Sequence, residues 1–129
     1  MNPPVSVKGI ITIDGRVVLL RNDRAEWELP GGRVDPGETE RAALVREVRE
    51  ELGLTVDVDL DPIDRYPFSP VPGRTVTIVT YGCAVLDTDP TMTVSDEHVE
   101  IGTFTPESAA GLADLPSGYR VSIRRHFRN

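Results

Sequence analysis

The sequence predicts a mixed α/β sandwich, in which one amphipathic helix packs against strands that precede and follow it in the chain. Strand-like segments lie on both sides of a central helical segment, and two further helical segments close the chain. The 129 residues fit a single domain spanning residues 1–129, because that length supports one hydrophobic core. The contents of 39% hydrophobic and 27% charged residues are ordinary for a folded globular protein, so disorder of the whole chain is excluded.

The strands are recognised by runs of apolar and β-branched residues, or by alternation of apolar and polar residues. Asp14-Gly15 is a two-residue turn signal, so the first two strands form a hairpin. Asp57, Asp59 and Asp61 alternate with apolar residues and are predicted to lie on the wet face of an edge strand. The predicted strands in chain order are Val5–Ile13, Arg16–Leu20, Val56–Leu60, Thr75–Leu86 and Glu100–Phe104, while Trp27–Leu29 is a short apolar piece that stops at Pro30.

A helix is predicted from Thr39 to Leu52, with Thr39 as its N-cap and Gly53 at its C-terminal end. Shorter helices are predicted over Pro106–Leu112 and Ser117–Phe127. Apolar residues at helical spacing form one stripe along the first helix, namely Ala42, Val45, Val48 and Leu52.

Two segments rich in glycine and proline are expected to be loops without regular structure. The first runs from Pro30-Gly31-Gly32 to Pro36-Gly37, and the second from Pro67 to Gly73.

The formal charge of −7 argues against binding to nucleic acid or to anionic membranes, because both repel an acidic surface. No segment approaches 18 consecutive apolar residues, so no membrane span is expected. Cys83 is the single cysteine, which excludes an internal disulfide and fits a cytoplasmic protein. Cys83 is interpreted as a core residue, and the isolated His98 and His126 as ordinary surface residues.

Three glutamates on the first helix carry the chemical signal. Glu47, Glu50 and Glu51 are spaced i, i+3 and i+4, so they project from one side of the helix. Like charges at this spacing destabilise a helix, and a divalent cation removes that repulsion. All-oxygen ligands favour a hard ion, so the expected cofactor is Mg²⁺ or Mn²⁺ rather than zinc. Arg46 is placed to pair with Glu38 and to hold the preceding loop against the helix.

The segment Gly32 to Leu54 resembles the signature of the Nudix hydrolases, the Nudix box. The signature reads Gly, five residues, Glu, seven residues, Arg-Glu, an aliphatic residue, any residue, Glu-Glu, any residue, Gly and an aliphatic residue. All nine specified positions agree. The resemblance implies a Nudix-type α/β/α sandwich with a mixed β-sheet, in which the box forms a loop-helix-loop.

The resemblance also implies a metal-dependent attack of water on phosphorus, which cleaves a phosphoanhydride bond of a nucleotide. It implies Glu47, Glu50, Glu51 and the Gly32 carbonyl as metal ligands, and Glu38 with Arg46 as an orienting ion pair. The general base is either Glu47 or a carboxylate on a later loop, for which Glu97 is the candidate. These residues form the expected catalytic and metal-binding set, namely Gly32, Glu38, Arg46, Glu47, Glu50, Glu51 and Glu97.

The substrate is expected to be a nucleoside triphosphate or a compound like ADP-ribose, and Pro70 resembles a feature of the ADP-ribose-cleaving branch. Arg21 and Arg24 are candidate phosphate contacts, and Trp27 is a candidate surface for stacking on a base. The rival interpretation is a Nudix-fold module that binds a nucleotide without hydrolysing it. The resemblance also leaves a homodimer open.

Overall fold

In the computed structural model, which describes residues 2–128, one mixed sheet lies between two layers of helices. The strands are β1 (Val5–Ile13), β2 (Arg16–Arg21), β3 (Trp27–Glu28), β4 (Gly31–Arg33), β5 (Val56–Val58), β6 (Asp64–Val71), β7 (Arg74–Val85) and β8 (Glu100–Phe104). The helices are α1 (Glu40–Leu52), α2 (Pro106–Ala110) and α3 (Ser117–His126). The predicted α/β/α sandwich is therefore confirmed.

The sheet is mixed because β1 runs parallel to β7 while its other pairings are antiparallel. The central order is β3-β2-β1-β7-β5, with β4 paired to β1, β6 to β7 and β8 to β2. Asp14 and Gly15 adopt φ values of 51° and 75°, which suit the predicted tight turn between β1 and β2. Strand β1 begins at Val5 and ends at Ile13, as predicted, and Ile13 pairs with Arg16 of β2.

Each face of the sheet buries its own apolar cluster, because side chains alternate along each strand. In β2, Val18 and Leu20 point to the α1 face, whereas Val17 and Leu19 point to the face covered by α2 and α3. The cluster beneath α1 contains Val7, Ile11, Leu44, Val48, Leu52 and Val79. The opposite cluster contains Ile10, Leu29, Ile78, Leu115, Tyr119 and Ile123.

Helix α1 begins and ends where the sequence predicts. The Thr39 side chain accepts a hydrogen bond from the Ala42 N–H, and Gly53 ends the helix in the left-handed conformation with φ 72°. The predicted stripe is wrong at Ala42, which is exposed, because Ala43 and Leu44 face the sheet instead. A helix that packs on a sheet buries a broad face, and a stripe of single residues is too narrow to form that face.

Both segments predicted to be irregular contain strands. Gly31 to Arg33 form β4, because glycine lets this backbone come close to β1. An added side chain at Gly31 would overlap the Val7 carbonyl oxygen. Asp64 to Val71 form β6, which pairs with β7 despite its prolines. Its residues from Tyr66 onward are mostly exposed, and prolines are tolerated on such a peripheral strand.

Candidate active site

Carboxylates from α1 and from the loop before β8 line one small cavity of about 210 Å³. Helix α1 contributes the three glutamates that the sequence singled out, and the loop brings the predicted Glu97 to the same place. The lining residues are Glu47, Glu50, Glu51, Ser95, Asp96 and Glu97. Residues about 50 positions apart in the chain therefore share one acidic site.

Strand β4 closes one side of the site, because two glycines allow the α1 carboxylates to approach its backbone. The Gly31 N–H donates a hydrogen bond of 2.7 Å to Glu51 Oε1. The Glu47 carboxylate lies against Gly32, where an added Cβ would come within 2.5 Å of the Glu47 carboxyl carbon. The glycine pair of the box thus provides space for Glu47 and a hydrogen-bond donor for Glu51.

Glu51 is a buried carboxylate, only 6% exposed. Burial raises its pKa, although Lys8, the Gly31 N–H and His98 act in the opposite direction. The second oxygen, Oε2, lies 3.5 Å from His98 Nδ1. Folding therefore buries an ionisable carboxyl group whose charged form is disfavoured, an arrangement common at functional sites.

Glu47 and Glu50 differ in how deeply they lie in the site. The side chain of Glu47 is 17% exposed and that of Glu50 is 58% exposed. Burial raises the pKa of Glu47, and the nearby Glu50 and Glu97 carboxylates raise it further, while Arg46 lowers it. Glu97 is therefore close enough to Glu47 to act on it electrostatically.

Arg46 connects the box loop with the acidic cavity. Its guanidinium donates hydrogen bonds of 2.8 and 2.9 Å to the two oxygens of Glu38, so the predicted contact is present. It also donates to Glu47 Oε1 at 3.0 Å and to the Arg33 carbonyl at 3.1 Å. Hydrogen bonds from Arg46 and from the Asp35 N–H lower the pKa of Glu38 to about 2. Glu38 thus stays ionised and holds Arg46 in place.

The donor set of this cavity fits a hard divalent cation. All of its acidic groups offer oxygen, the ligand type that Mg²⁺ and Mn²⁺ prefer. Burial, the main cause of the raised pKa values of Glu47 and Glu51, disfavours their ionised forms, and a bound cation would offset that cost. Within residues 2–128, however, no three acidic, histidine or cysteine side chains already converge as a metal-binding group. Arg46 and Gly31 hold Glu47 and Glu51 by separate contacts, so a cation would require these carboxylates to turn inward.

A second cavity of about 370 Å³ is lined in part by Glu28. It contains two of the three predicted substrate contacts, Arg24 and Trp27, together with Pro70. The remaining lining residues are Asn22, Glu26, Glu28, Phe68, Val71, Pro116 and Tyr119. The cavity therefore combines aromatic walls with polar groups, as expected for a small-molecule site.

The third predicted substrate contact, Arg21, does not line this cavity. It donates a hydrogen bond of 3.2 Å to Glu100, and its guanidinium lies 5.7 Å from the ring centroid of Trp27. Trp27 in turn packs edge-on against Phe104, with ring centroids 5.0 Å apart. Arg21 therefore packs over the Trp27 ring without lining the cavity itself.

Sequence reasoning missed two residues of this region, His98 and Lys8. His98 was expected at the surface but is 8% exposed, because the loop before β8 folds inward over the site. Burial alone would lower the pKa of Lys8, but Tyr119, Glu28, Glu51 and Glu47 raise it overall. The signal available for Lys8 is its position as a lone charge within the apolar run of β1. His98 gave no such signal, because its partners are distant in sequence.

The remaining singled-out residues lie away from the acidic cavity. Asp57, Asp59 and Asp61 are exposed along and after the edge strand β5, as predicted. Cys83 is buried and free, also as predicted. His126 lies at the end of α3 and packs edge-on against Phe127. Among residues 2–128, no helix combines the length and the apolar character needed to cross a membrane.

Comparison with known proteins adds an independent line of observation. The family model described as the NUDIX domain matches residues 2–126. The solution structure of the E. coli ORF135 protein superposes with a TM-score of 0.80 at 30% identity, covering 99% of this chain and 91% of that one.

Curated relatives match over shorter segments. The Mycobacterium tuberculosis protein named "Putative 8-oxo-dGTP diphosphatase 2" is 50% identical over 64 residues, which are 50% of this chain and 45% of that protein. The CTP pyrophosphohydrolase of E. coli is 47% identical over 57 residues, 40% of this chain and 42% of that protein. The ADP-ribose pyrophosphatase of Methanocaldococcus jannaschii is 41% identical over 58 residues, 42% of this chain and 34% of that protein. The matched segment thus spans less than half the length of each of these relatives.

Proposed function

Because this chain belongs to the Nudix hydrolase family, we propose that it hydrolyses a phosphoanhydride bond of a nucleoside triphosphate or a related nucleoside diphosphate derivative. The observation that carries the proposal is the acidic cavity, in which five carboxylates from α1 and a separate loop line the same 210 Å³. Such a cavity repels a polyphosphate unless cations enter with it. The cofactor we propose is therefore Mg²⁺ or Mn²⁺.

In this proposal Glu47, Glu50 and Glu51 hold the cation, and the Gly32 carbonyl is a further candidate ligand. When bound, the ion neutralises phosphate charge and lowers the pKa of a water molecule that it binds. Glu38 and Arg46 fix the loop and helix that present these ligands, through the hydrogen bonds of 2.8 and 2.9 Å. Their role is positioning, because neither group points freely into the cavity.

The chain offers two candidates for the general base, Glu47 and Glu97. Both carboxylates line the acidic cavity, and the charge of Glu97 contributes to the raised pKa of Glu47. Glu47 Oε1 already accepts a hydrogen bond of 3.0 Å from Arg46, so that oxygen is occupied by the guanidinium. Glu97 has no such partner among its hydrogen bonds in residues 2–128, so we favour Glu97 as the group that accepts the proton of the attacking water.

The larger cavity supplies a place for the nucleoside. Trp27, Phe68 and Tyr119 form aromatic walls, and Glu28 belongs to this cavity while contacting the acidic site through His98. A nucleotide can therefore place its base in the larger cavity and its phosphates in the acidic one. Two of the three relatives described above carry names that assign them to triphosphates, which supports this class over ADP-ribose.

The decisive experiment measures metal-dependent product release from a substrate panel. The panel contains the common NTPs and dNTPs, 8-oxo-dGTP, ADP-ribose and diadenosine polyphosphates. Reaction in H₂¹⁸O then identifies which phosphorus receives the water. We expect a nucleoside monophosphate and pyrophosphate from a triphosphate in the presence of Mg²⁺ or Mn²⁺.

Three variants connect that activity with the acidic cavity. Glu50→Gln and Glu51→Gln are expected to lower kcat by about 100-fold or more, because each removes a charged metal ligand. Glu107→Gln is the matched control, since Glu107 is exposed on α2 and lies outside the acidic cavity. Full turnover in either cavity variant would remove that residue from the ligand set. Tight nucleotide binding without any turnover by the unaltered protein would favour the non-catalytic binding module instead.

A further inference from the structure

His98 lies between Glu28, which lines the larger cavity, and Glu51, which lines the acidic cavity. Its Nε2 lies 2.5 Å from Glu28 Oε1, and its Nδ1 faces Glu51 Oε2 at 3.5 Å. Glu28 lines the larger cavity, and Glu51 lines the acidic one. The imidazole ring is thus the direct link between two carboxylates that belong to different parts of the site.

The two ring nitrogens of His98 differ in how well they are satisfied. Nε2 is firmly hydrogen-bonded to Glu28, whereas Nδ1 is buried and has no hydrogen-bond partner within the usual distance. The side chain is 4% exposed, so water cannot supply that partner freely. A buried polar atom left without a partner destabilises the fold, so its presence calls for a reason. The nearest acceptor is Glu51 Oε2, about half an ångström beyond a normal hydrogen bond.

Glu51 itself has one oxygen fixed and the other less well held. Oε1 accepts the 2.7 Å hydrogen bond from the Gly31 N–H, so the carboxylate can still rotate about that contact. A small inward shift of Oε2 would bring it within hydrogen-bonding distance of His98 Nδ1, and a ring that carries a proton on each nitrogen then donates to both carboxylates. Two contacts would then define the plane of the carboxylate, as outer-shell partners do for ligands in metal sites.

We propose that His98 is a positioning residue that holds Glu51 in the orientation needed to bind the cation. Glu28 in turn fixes the His98 ring through its contact with Nε2. This inference rests on the proposed function, because it assigns Glu51 to the cation. His98 does not touch the nucleotide or the reacting atoms in this assignment. Its effect is on the affinity for the cation and, through that, on turnover.

Two substitutions separate the contacts of the ring. Glutamine places an amide nitrogen near the position of Nε2, so His98→Gln keeps the contact with Glu28 and loses the one toward Glu51. Asparagine places its amide nitrogen near Nδ1, so His98→Asn keeps the contact toward Glu51 and loses Glu28. His126→Gln is the matched control, because His126 lies on α3 and packs against Phe127.

The measurement is the dissociation constant for Mn²⁺ alone, obtained from the electron paramagnetic resonance signal of the free ion. We expect His98→Gln to weaken Mn²⁺ binding by about 10- to 100-fold, as loss of an outer-shell partner typically does. His98→Asn is expected to lie between this variant and the unaltered protein, and His126→Gln to bind normally. In ¹⁵N-histidine spectra, addition of Mg²⁺ is expected to move the His98 Nδ1 signal and leave His126 unchanged.

The possible results distinguish this inference from the proposed function. If the unaltered protein binds no Mn²⁺, with or without nucleotide, both fall. If it binds Mn²⁺ and a folded His98→Gln variant binds within twofold of it, only the positioning role is overturned. The positioning role would also be overturned if both variants lost Mn²⁺ affinity equally and in step with a lower Tm, since that pattern indicates a packing role. If both variants fail to fold, Glu28→Gln decides, because normal Mn²⁺ affinity there excludes an anchor through Glu28.

Discussion

Replacement of Gly32 by alanine tests whether the position of the Glu47 carboxylate is set by β4. The added methyl group would lie 2.5 Å from the Glu47 carboxyl carbon and 2.6 and 2.7 Å from its two oxygens. The φ angle of Gly32 is not in the left-handed region, so alanine meets no backbone strain there. The three atoms nearest to the methyl group therefore all belong to the Glu47 carboxylate.

The size of the displacement follows from these distances. Ordinary van der Waals contact begins near 3.4 Å, so a carboxyl carbon at 2.5 Å must move by about 0.9 Å. A misplacement of about 1 Å in a catalytic arrangement can lower the rate by about 100-fold. We therefore expect kcat/KM of Gly32→Ala to fall by about that factor. The free energy of unfolding is expected to change by about 1 kcal/mol or less, because the Glu47 side chain can swing away.

The assay compares metal-dependent nucleotide hydrolysis with thermal unfolding in the same variants. Gly15→Ala is the matched control, because Gly15 lies in the β1-β2 turn with no atom within 4 Å of an added Cβ. Its positive φ of 75° makes alanine strained there, so stability falls while activity is retained. Gly31→Ala is expected to lose the fold, since its methyl group would overlap the backbone of β1. Gly32→Ala thus tests catalytic geometry, Gly15→Ala tests turn strain, and Gly31→Ala tests the pairing of β4 with β1.

A double variant tests the physical cause. Glu47→Asp shortens the side chain and makes room for the methyl group, so the combined loss with Gly32→Ala is expected to be smaller than the product of the single losses. If Gly32→Ala keeps kcat/KM within threefold of the unaltered protein, the close packing of β4 on Glu47 does not set the catalytic geometry. Fully additive losses in the double variant would also refute the reasoning, because they imply independent effects.

Three further results are expected. Glu38→Gln lowers Tm at neutral pH, and the difference from the unaltered protein shrinks as the pH falls below about 4.5 toward 2. The pKa of folded Glu38 lies at about 2, below its ordinary value of 4.5, so its ion pair with Arg46 is lost on protonation. Ser122→Ala costs about 1 to 3 kcal/mol in urea unfolding, because buried Thr80 loses the acceptor of its 3.1 Å hydrogen bond and Asp64 loses a donor. Chelation of divalent cations abolishes turnover reversibly, and activity that survives exhaustive chelation contradicts the metal assignment.

The sequence predicts well those features that depend on neighbours along the chain. Helix α1 follows from local periodicity, from the cap at Thr39 and from the glycine at position 53, all within 15 residues. The β1-β2 hairpin follows from two turn residues. The acidic side of α1 follows from helical spacing alone. In each case the residues that determine the structure are adjacent to it.

Features that depend on distant partners could not be read in the same way. Strand β4 exists because Gly31 can approach the β1 backbone, and local rules interpret the same glycines as a loop. Strand β6 keeps its prolines because it lies at the periphery of the sheet, a position that propensity does not reveal. His98 meets Glu28 across 70 residues, so its burial depends on the complete fold.

The acidic site also bears on how folding and cation binding are connected. Folding buries Glu51 and partly buries Glu47, and burial is the main reason that the pKa values of both carboxylates are raised, with repulsion from neighbouring carboxylates adding to it. Arg46 compensates part of this charge from one side, and Lys8 from the other. A cation that binds the folded protein and not the unfolded chain must increase stability in proportion to its occupancy. The same carboxylates that weaken the metal-free fold would thus hold the ion most strongly, which is why an acidic protein can use them to receive an anionic substrate.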